Sequence, residues 1–569
     1  MAPGSGRIAS SVRDLVSRLT PLFVYAALFS LAINLLLLAP PLYMLQVFDR
    51  VLSSRSEETL LVLTCAALVA LAVMALLDVL RARLLLAAGV ALDRRIGPQV
   101  LEGLLAKTAR LGGAAYMNAM RDVGVLRGFL GGTGLVALFD APWLPLFVLL
   151  IFLFHPLLGT VALAGAVVML LLAWLNERLT RARVDEAQAK ARRAGRFIDA
   201  NVRNADVVAA LGMLPAVTAR WMRLNDAALG EQAAAASIGS TYAGLTKFTR
   251  QFLQLAMLAV GAFLVVSQDL TAGLMIAATI ILGRALAPVE SLVAGWRSLA
   301  EARTAWRRLS ELLDGQAPAE PATELPAPQG RLDVEQVTFR LPATERPILR
   351  GVSFALDAGE SLGLVGPSAS GKSTLVRIAL GVWKPLAGTA RLDGADVAAW
   401  PREQLGPHLG YLPQDVELFA GTVAQNIARL VEPDAADVIG AAKRAHVHEL
   451  ILKLPKGYDS DIGEGGEALS PGQRQRIALA RALYGAPRLV VLDEPNANLD
   501  GEGEAALLRT LQLLRDEGVT VIVVAHRPSL LRGVDKLLVL REGAVDLFGP
   551  RAEVMARLTR AAPLAREVA

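Results

Sequence analysis

The 569-residue sequence holds one cysteine, Cys65, and five histidines. A single thiol excludes a disulfide framework, a CxxC redox pair and a cysteine zinc site. So few histidines leave little from which to build a side-chain metal centre. Charge is also scarce. Charged residues make up 20% and aromatics 5%, while hydrophobic residues reach 54%; soluble chains run near 25% charged and about 45–50% apolar. The excess is Leu, Ala and Val, so a disordered or fibrous chain is excluded and lipid contact is indicated. Lys plus Arg exceed Asp plus Glu by 58 to 53. A surplus that small carries meaning only through where it falls.

What is present in the first half is a series of blocks without charge. None falls between Arg18 and Asp49, from Thr59 to Leu77, from Ala141 to Asn176 or from Gln251 to Gln268, and Leu270–Val289 contains only Arg284. A helix needs about 20 apolar residues to cross a bilayer core. The blocks predict six spans, near 21–46, 60–77, 130–154, 156–176, 251–267 and 271–289, with His155-Pro156 turning the chain inside the longest block. Buried core helices of a soluble protein are the competing reading, and six such runs before residue 290 weigh against it. The segments 78–127 and 177–250 are rich in Arg and Lys, whereas 49–58 has only Arg50 and Arg55. Positive charge stays inside, so both basic segments and both termini are expected on the cytoplasmic side. Topology then accounts for the basic surplus, and no nucleic-acid partner is expected.

Residues 1–20 place Ile8, Val12, Leu15, Val16 and Leu19 on one helical face and Arg7, Arg13 and Arg18 on the other. That pattern suits a cytoplasmic interfacial helix or an ordinary solvated helix end. The membrane domain is expected over 21–313. Its two cytoplasmic segments read as helical hairpins, with arms of roughly 25 and 37 residues, or about 37 and 55 Å. Their tips, near 105–118 and 210–218, are placed to touch another domain. Asp140 near the cytoplasmic end of span three is a candidate functional carboxylate or an interfacial residue before Pro142 and Trp143. A proline-rich linker is expected over 314–330.

From 331 to 569 strand-like runs alternate with helices, as in an α/β domain. The strand SLGLV (361–365) runs into Gly366-Pro367-Ser368-Ala369-Ser370-Gly371-Lys372-Ser373-Thr374. This is the phosphate-binding loop pattern, in which backbone N–H groups and a helix N-terminus meet phosphates. Lys372 is expected on the β- and γ-phosphates and Ser373 on Mg²⁺. A second apolar strand ends in Asp493 and Glu494. Asp493 suits a Mg²⁺ carboxylate, and Glu494 suits a group that orients or deprotonates the attacking water. A third apolar strand ends in His526.

Leu469-Ser470-Pro471-Gly472-Gln473, standing before a helix and between the phosphate loop and Asp493-Glu494, resembles the signature of ATP-binding cassette proteins. Gln414 resembles the Q-loop glutamine, Glu464 in DIGEGG the loop exporters place before the signature, Asn498-Leu499-Asp500 the D-loop and His526 the switch histidine. The order of six spans and one cassette is that of an exporter half-transporter. Within that family the chain is most similar to type I protein-secretion ATPases, on PLYMLQVFDRVL (41–52), ALGML (210–214), FDAPWLPLF (139–147), GRALAPVE (283–290) and EPNANLD (494–500). No peptidase domain is expected ahead of span one, where residues 1–20 lack Cys and His.

The resemblance implies ATP and Mg²⁺ as cofactors, with Ser373, Gln414 and Asp493 at the metal and Gln414, Glu494 and His526 in hydrolysis. It implies a homodimer in the bacterial inner membrane, with ATP between 366–374 of one subunit and 469–473 of the other. Its implied partners are a periplasmic adaptor protein, an outer-membrane channel, a secreted protein and membrane lipids. The alternative is a drug or lipid exporter of the same fold, which liposome ATPase stimulation without partners would favour. A non-transport cassette clamp on nucleic acid or ribosomes requires a soluble protein. Two positions depart from the family. Leu341 stands where an aromatic usually stacks on adenine, and Phe339, on the same strand face, is the expected substitute. Pro471 replaces the usual glycine and removes one N–H.

Overall fold

The computed structural model describes residues 5–111, 119–313, 325–341, 344, 346–525 and 527–561. The chain divides into two units, residues 1–108 with 113–317 and residues 109–112 with 318–569. The division falls in the proline-rich segment, of which 314–324 lies outside the described residues.

The first unit is helical: α1 (Ser5–Leu36), α2 (Ala39–Gln46), α3 (Glu57–Leu111), α4 (Ala119–Leu130), α5 (Thr133–Asp140), α6 (Leu144–Phe154), α7 (Pro156–Val202), α8 (Leu214–Val266), α9 (Ala272–Ala294) and α10 (Trp296–Leu313). Among the described residues, six stretches are long and apolar enough to cross a membrane, and they overlap the six expected spans. The protein is a multi-pass membrane protein. Helices α3, α7 and α8 run 55, 47 and 53 residues, well past a bilayer's width; their continuations are rich in Ala, Leu and Arg, good helix formers, and α3 continues through Pro98. Helix α1 passes through Pro21 unbroken, so residues 5–20 and the first span form one continuous helix.

Large apolar side chains stand exposed along the spans, among them Leu61, Val62, Leu153 and Phe263. This is the reverse of a soluble surface and suits hydrocarbon. Helix–helix contacts instead use small residues. A Cβ at Gly165 would lie 2.5 Å from Leu253, and one at Gly261 would lie 2.6 Å from Met275. Asp49, in a π-helical turn at Val47–Val51, closes the other end of the bundle. Its carboxylate accepts from Thr271 Oγ1 at 2.6 Å and from Gly273 N–H at 2.9 Å, capping the start of α9.

Asp140 is not solitary. Arg81 of α3 pairs with it at 2.8 Å and with Asp78 at 2.7 Å. Asn34 of α1 donates to the same Asp140 oxygen at 3.0 Å, and Ser30 Oγ donates there too. Arg81, Ser30 and Asn34 are buried. Charge inside an apolar bundle is tolerated when paired and hydrogen-bonded, so this cluster fixes α1, α3 and α5 to one another.

The second unit is an α/β domain. A six-stranded sheet runs β10-β9-β3-β8-β7-β6, where β3 is Ser361–Val365, β6 Leu409–Leu412, β7 Leu489–Asp493, β8 Thr520–Val524, β9 Lys536–Arg541 and β10 Ala544–Pro550. All its neighbours are parallel except β9 and β10. β7 and β8 are buried at every residue, the consequence of apolar runs covered on both faces. A smaller sheet, β2-β1-β4-β5, pairs β1 (Leu332–Phe339) with β2 (Leu349–Leu356) and β4 (Ala387–Leu392), both antiparallel, and ends in the short β5 (Ala395–Asp396).

Removing one partner of a buried ion pair costs about 3–5 kcal/mol because the other charge stays unmatched. Arg81→Met should therefore lower the midpoint of thermal unfolding in detergent clearly. The double variant Arg81→Met/Asp140→Leu should recover much of the loss. A double variant as unstable as the single one would show that the pair itself is not the source.

Candidate functional site

β3, β8 and β7 are neighbours in the large sheet, so the loops after them open at the same edge. Ligands of open α/β sheets bind at that edge, beyond the carboxyl ends of the strands. Val365 leads into the loop 366–371, and α11 (Lys372–Ala379) follows. Glycine is required at both ends of this loop. A Cβ on Gly366 would lie 2.2 Å from the Leu540 carbonyl, and Gly371 has φ +102°. Lys372 is 7% exposed, and its Nζ donates to the carbonyls of Gly366 and Pro367, each at 2.9 Å. Burial lowers its pKa; the charges of Glu494 and Asp493 oppose that shift.

Asp493 ends β7 and is 2% exposed. Burial raises its pKa, and a hydrogen bond from the Ser373 hydroxyl pulls it down. Its Oδ1 is buried with no hydrogen-bond partner among the described residues. One partnerless carboxylate oxygen beside a hydroxyl fits Mg²⁺, a hard cation bound by oxygen ligands that commonly include one or two carboxylates and substrate phosphate. Among the described residues no cluster of three or more His, Cys, Asp or Glu could hold a metal by itself. Glu494 has left-handed backbone, φ +50°, and its N–H donates to Val524. Gln414, just past β6, donates Nε2 to Glu494 Oε2 at 3.1 Å. Lys372, Ser373, Gln414, Asp493 and Glu494 thus come together as the sequence suggests. His526 follows β8 but lies outside the described residues.

Ser470 is the N-cap of α12 (Pro471–Leu483), and it forms a capping box with Gln473: Ser470 Oγ accepts the Gln473 N–H and Gln473 Oε1 accepts the Ser470 N–H. Pro471 occupies the first helical position, where the missing N–H has no intrahelical acceptor to lose and the fixed φ suits the helix. Proline is therefore compatible with this signature. Leu469 is buried in the core beneath it. Asn498 and Leu499 lead to Asp500, which caps α13 (Gly501–Asp516) by accepting from Gly503 N–H at 2.8 Å.

Phe339 corrects one expectation. Its ring is 6% exposed and stacks on Trp383, with centroids 5.0 Å apart and planes at 16°. Arg377 covers Trp383 at 4.7 Å. Phe339 is a core residue of the small sheet, held in a stack with Trp383 and Arg377, and it offers no open face to a base. Leu341 is half-buried against the same cluster.

Gln475 is the residue that pattern reading passed over. It is 2% exposed; its Oε1 accepts the Asn498 N–H at 3.0 Å, and its Nε2 donates to the carbonyls of Pro495 and Glu494. The available signal was its place on the apolar stripe 475, 478, 479, 482 of α12.

Residues 349–497 match the family model described as ABC transporter, and 23–286 match that described as ABC transporter transmembrane region. Over its whole length the chain is 43% identical to the type I secretion system ATP-binding protein PrsD of Rhizobium meliloti (strain 1021), covering 98% of that protein. The chain belongs to the ABC transporters of type I secretion. A second relative, the cyclolysin secretion/processing ATP-binding protein CyaB of Bordetella pertussis, is 33% identical over 93% of this chain and 75% of its own length. The fold matches the structure of a bacterial Atm1-family ABC exporter with ATP bound, with TM-score 0.83 at 24% identity over 97% of this chain and 99% of that one. As an ABC transporter, the protein is a nucleotide-binding ATPase carried on a membrane domain.

Because Phe339 is part of the core, Phe339→Ala should act on stability, by about 3–5 kcal/mol for a lost buried aromatic. The ratio of ATP to GTP turnover in the full-length protein should stay within about twofold. A change in that ratio at unchanged unfolding midpoint would return Phe339 to the base-binding site.

Proposed function

We propose that the chain is the energising subunit of a type I secretion system and exports a polypeptide across the bacterial inner membrane. The observation that supports this best is the gathering of Lys372, Ser373, Gln414, Asp493 and Glu494 at one sheet edge, in a chain similar from end to end to a type I secretion ATP-binding protein.

In this reading ATP binds along 366–374. The N–H groups of Ser368 to Thr374 and the start of α11 meet the phosphates, and Lys372 exchanges its two loop carbonyls for phosphate oxygens. Ser373, Asp493 and Gln414 would hold Mg²⁺, which when bound would supply positive charge against the phosphates. Glu494, steadied by Gln414, takes or orients the proton of the attacking water. His526 keeps the switch role that the resemblance gives it. Two copies pair head to tail, so that 469–473 of one meets the nucleotide on the other and 498–500 lies beside that junction. Nucleotide-driven closure shifts the membrane helices between inward- and outward-facing populations. Both termini are cytoplasmic, and a periplasmic adaptor and an outer-membrane channel complete the route.

Glu494→Gln should reduce steady-state hydrolysis about 10²–10⁴-fold while ATP still binds. Lys372→Ala should weaken nucleotide binding itself. Hydrolysis within threefold of the parent in Glu494→Gln would remove that residue from its role, and unchanged affinity in Lys372→Ala would remove the lysine from the phosphates.

For cargo, the C-terminal segment of a candidate secreted protein, fused to an inert protein, should change the ATPase rate. The fusion should reach the medium only when adaptor and channel are co-expressed. Stimulation by lipids or small amphiphiles, with no response to polypeptide, would make the chain a lipid or drug exporter.

A further inference from the structure

We propose that Gln475 is a positioning residue that makes hydrolysis at one nucleotide site depend on occupancy of the other. This rests on the reading above, in which 469–473 meets the nucleotide on the partner subunit and Glu494 serves the nucleotide on its own chain. One side chain then spans both duties.

Helix α12 begins with the signature serine as its cap, and Gln475 sits one turn into it. Both ends of its amide are engaged in the buried interior. Nε2 donates to the Pro495 carbonyl at 2.5 Å and, more weakly, to the Glu494 carbonyl at 3.5 Å. Oε1 accepts the Asn498 N–H at 3.0 Å. The signature helix is thereby joined to the two residues after β7 and to the D-loop segment. Gly472 adds a close approach, since a Cβ there would lie 3.0 Å from the Asn498 carbonyl.

The Glu494 peptide is the part this linkage controls. Its backbone is left-handed. Its N–H is tied to Val524, its carbonyl accepts from Ala497 N–H at 3.2 Å as well as from Gln475, and its carboxylate meets Gln414. A buried amide cannot exchange such partners for water, and each lost bond leaves an unmatched group. When the signature moves to meet the partner's nucleotide, α12, the D-loop and the Glu494 peptide therefore move together. A shift of about 1 Å at a reacting group is enough to change rate about 100-fold.

The test uses the full-length dimer in detergent or nanodiscs, titrated with MgATP, with nucleotide binding measured separately. Gln475→Leu keeps the volume and removes every hydrogen bond. It should bind nucleotide, lower kcat about 10–100-fold with KM within about threefold, and drop the Hill coefficient from about two, the limit for two coupled sites, to about one. Gln475→Glu keeps the acceptor for Asn498 and loses the donor; it should show the same loss of cooperativity, and it decides the matter if Gln475→Leu does not accumulate. A cooperative variant with kcat near the parent's overturns the proposal. So does a variant whose only change is a raised KM or a lowered unfolding midpoint, the mark of a merely structural residue. A parent with a Hill coefficient of one overturns the proposal together with the coupled-site reading. A cooperative parent with an equally cooperative Gln475→Leu overturns the role of Gln475 alone.

Discussion

Leu364, Val524 and Asp493 pair in one row across three adjacent parallel strands, and that row sets where every phosphate-facing group stands. The strands are held at this register because both faces are buried: Leu362, Val523 and Leu492 are each fully covered. A slip of one residue would turn each side chain to the opposite face. Asp493 would leave Ser373, and Glu494 would leave Gln414. The glycines at 366 and 371, the left-handed turn at Glu494 and the capped start of α12 all presuppose this alignment.

The membrane unit solves the reverse problem. Its exterior is apolar, so hydrophobic burial does little to order one helix against the next in lipid. Specific polar links take over that task. Asp49 caps α9 across the bundle, and Arg81, Asp140, Asn34 and Ser30 join three helices at the other end. Small residues such as Gly165 and Gly261 let neighbouring helices approach closely. Near Trp296–Leu313 the logic turns back to that of a soluble helix: Ala305 and Leu309 bury against α4, and Arg308 pairs with Asp122.

Much of this was legible in the sequence because it depends on local pattern. Charge-free blocks predict the spans, and apolar runs ending in Gly366 or in Asp493-Glu494 predict the strand ends. The loop motif requires glycine for steric reasons that any fold must meet. The residues misread or missed depend on contacts far apart in the chain. Phe339 reads as a free aromatic until Trp383, 44 positions on, covers it. Asp140 reads as a functional or interfacial carboxylate without a visible partner because Arg81 lies on another helix, 59 positions away. Gln475 is one of many polar residues in RQRIALARAL, and only the docking of Asn498 and Pro495 makes it an interior bridge. Pro471 reads as the loss of one N–H until the helix is seen to begin at Pro471 itself, with Ser470 as its cap.

Glu494 has φ +50°. Such backbone costs about 1–2 kcal/mol for a residue carrying a Cβ and almost nothing for glycine. The strand end that the proposed chemistry needs is therefore a place where a more stable chain is one substitution away. Glycine there would relax the peptide while discarding the carboxylate. Stability and turnover pull in opposite directions at this residue, so a search for thermostable variants run without an activity screen would accept an inactive transporter here.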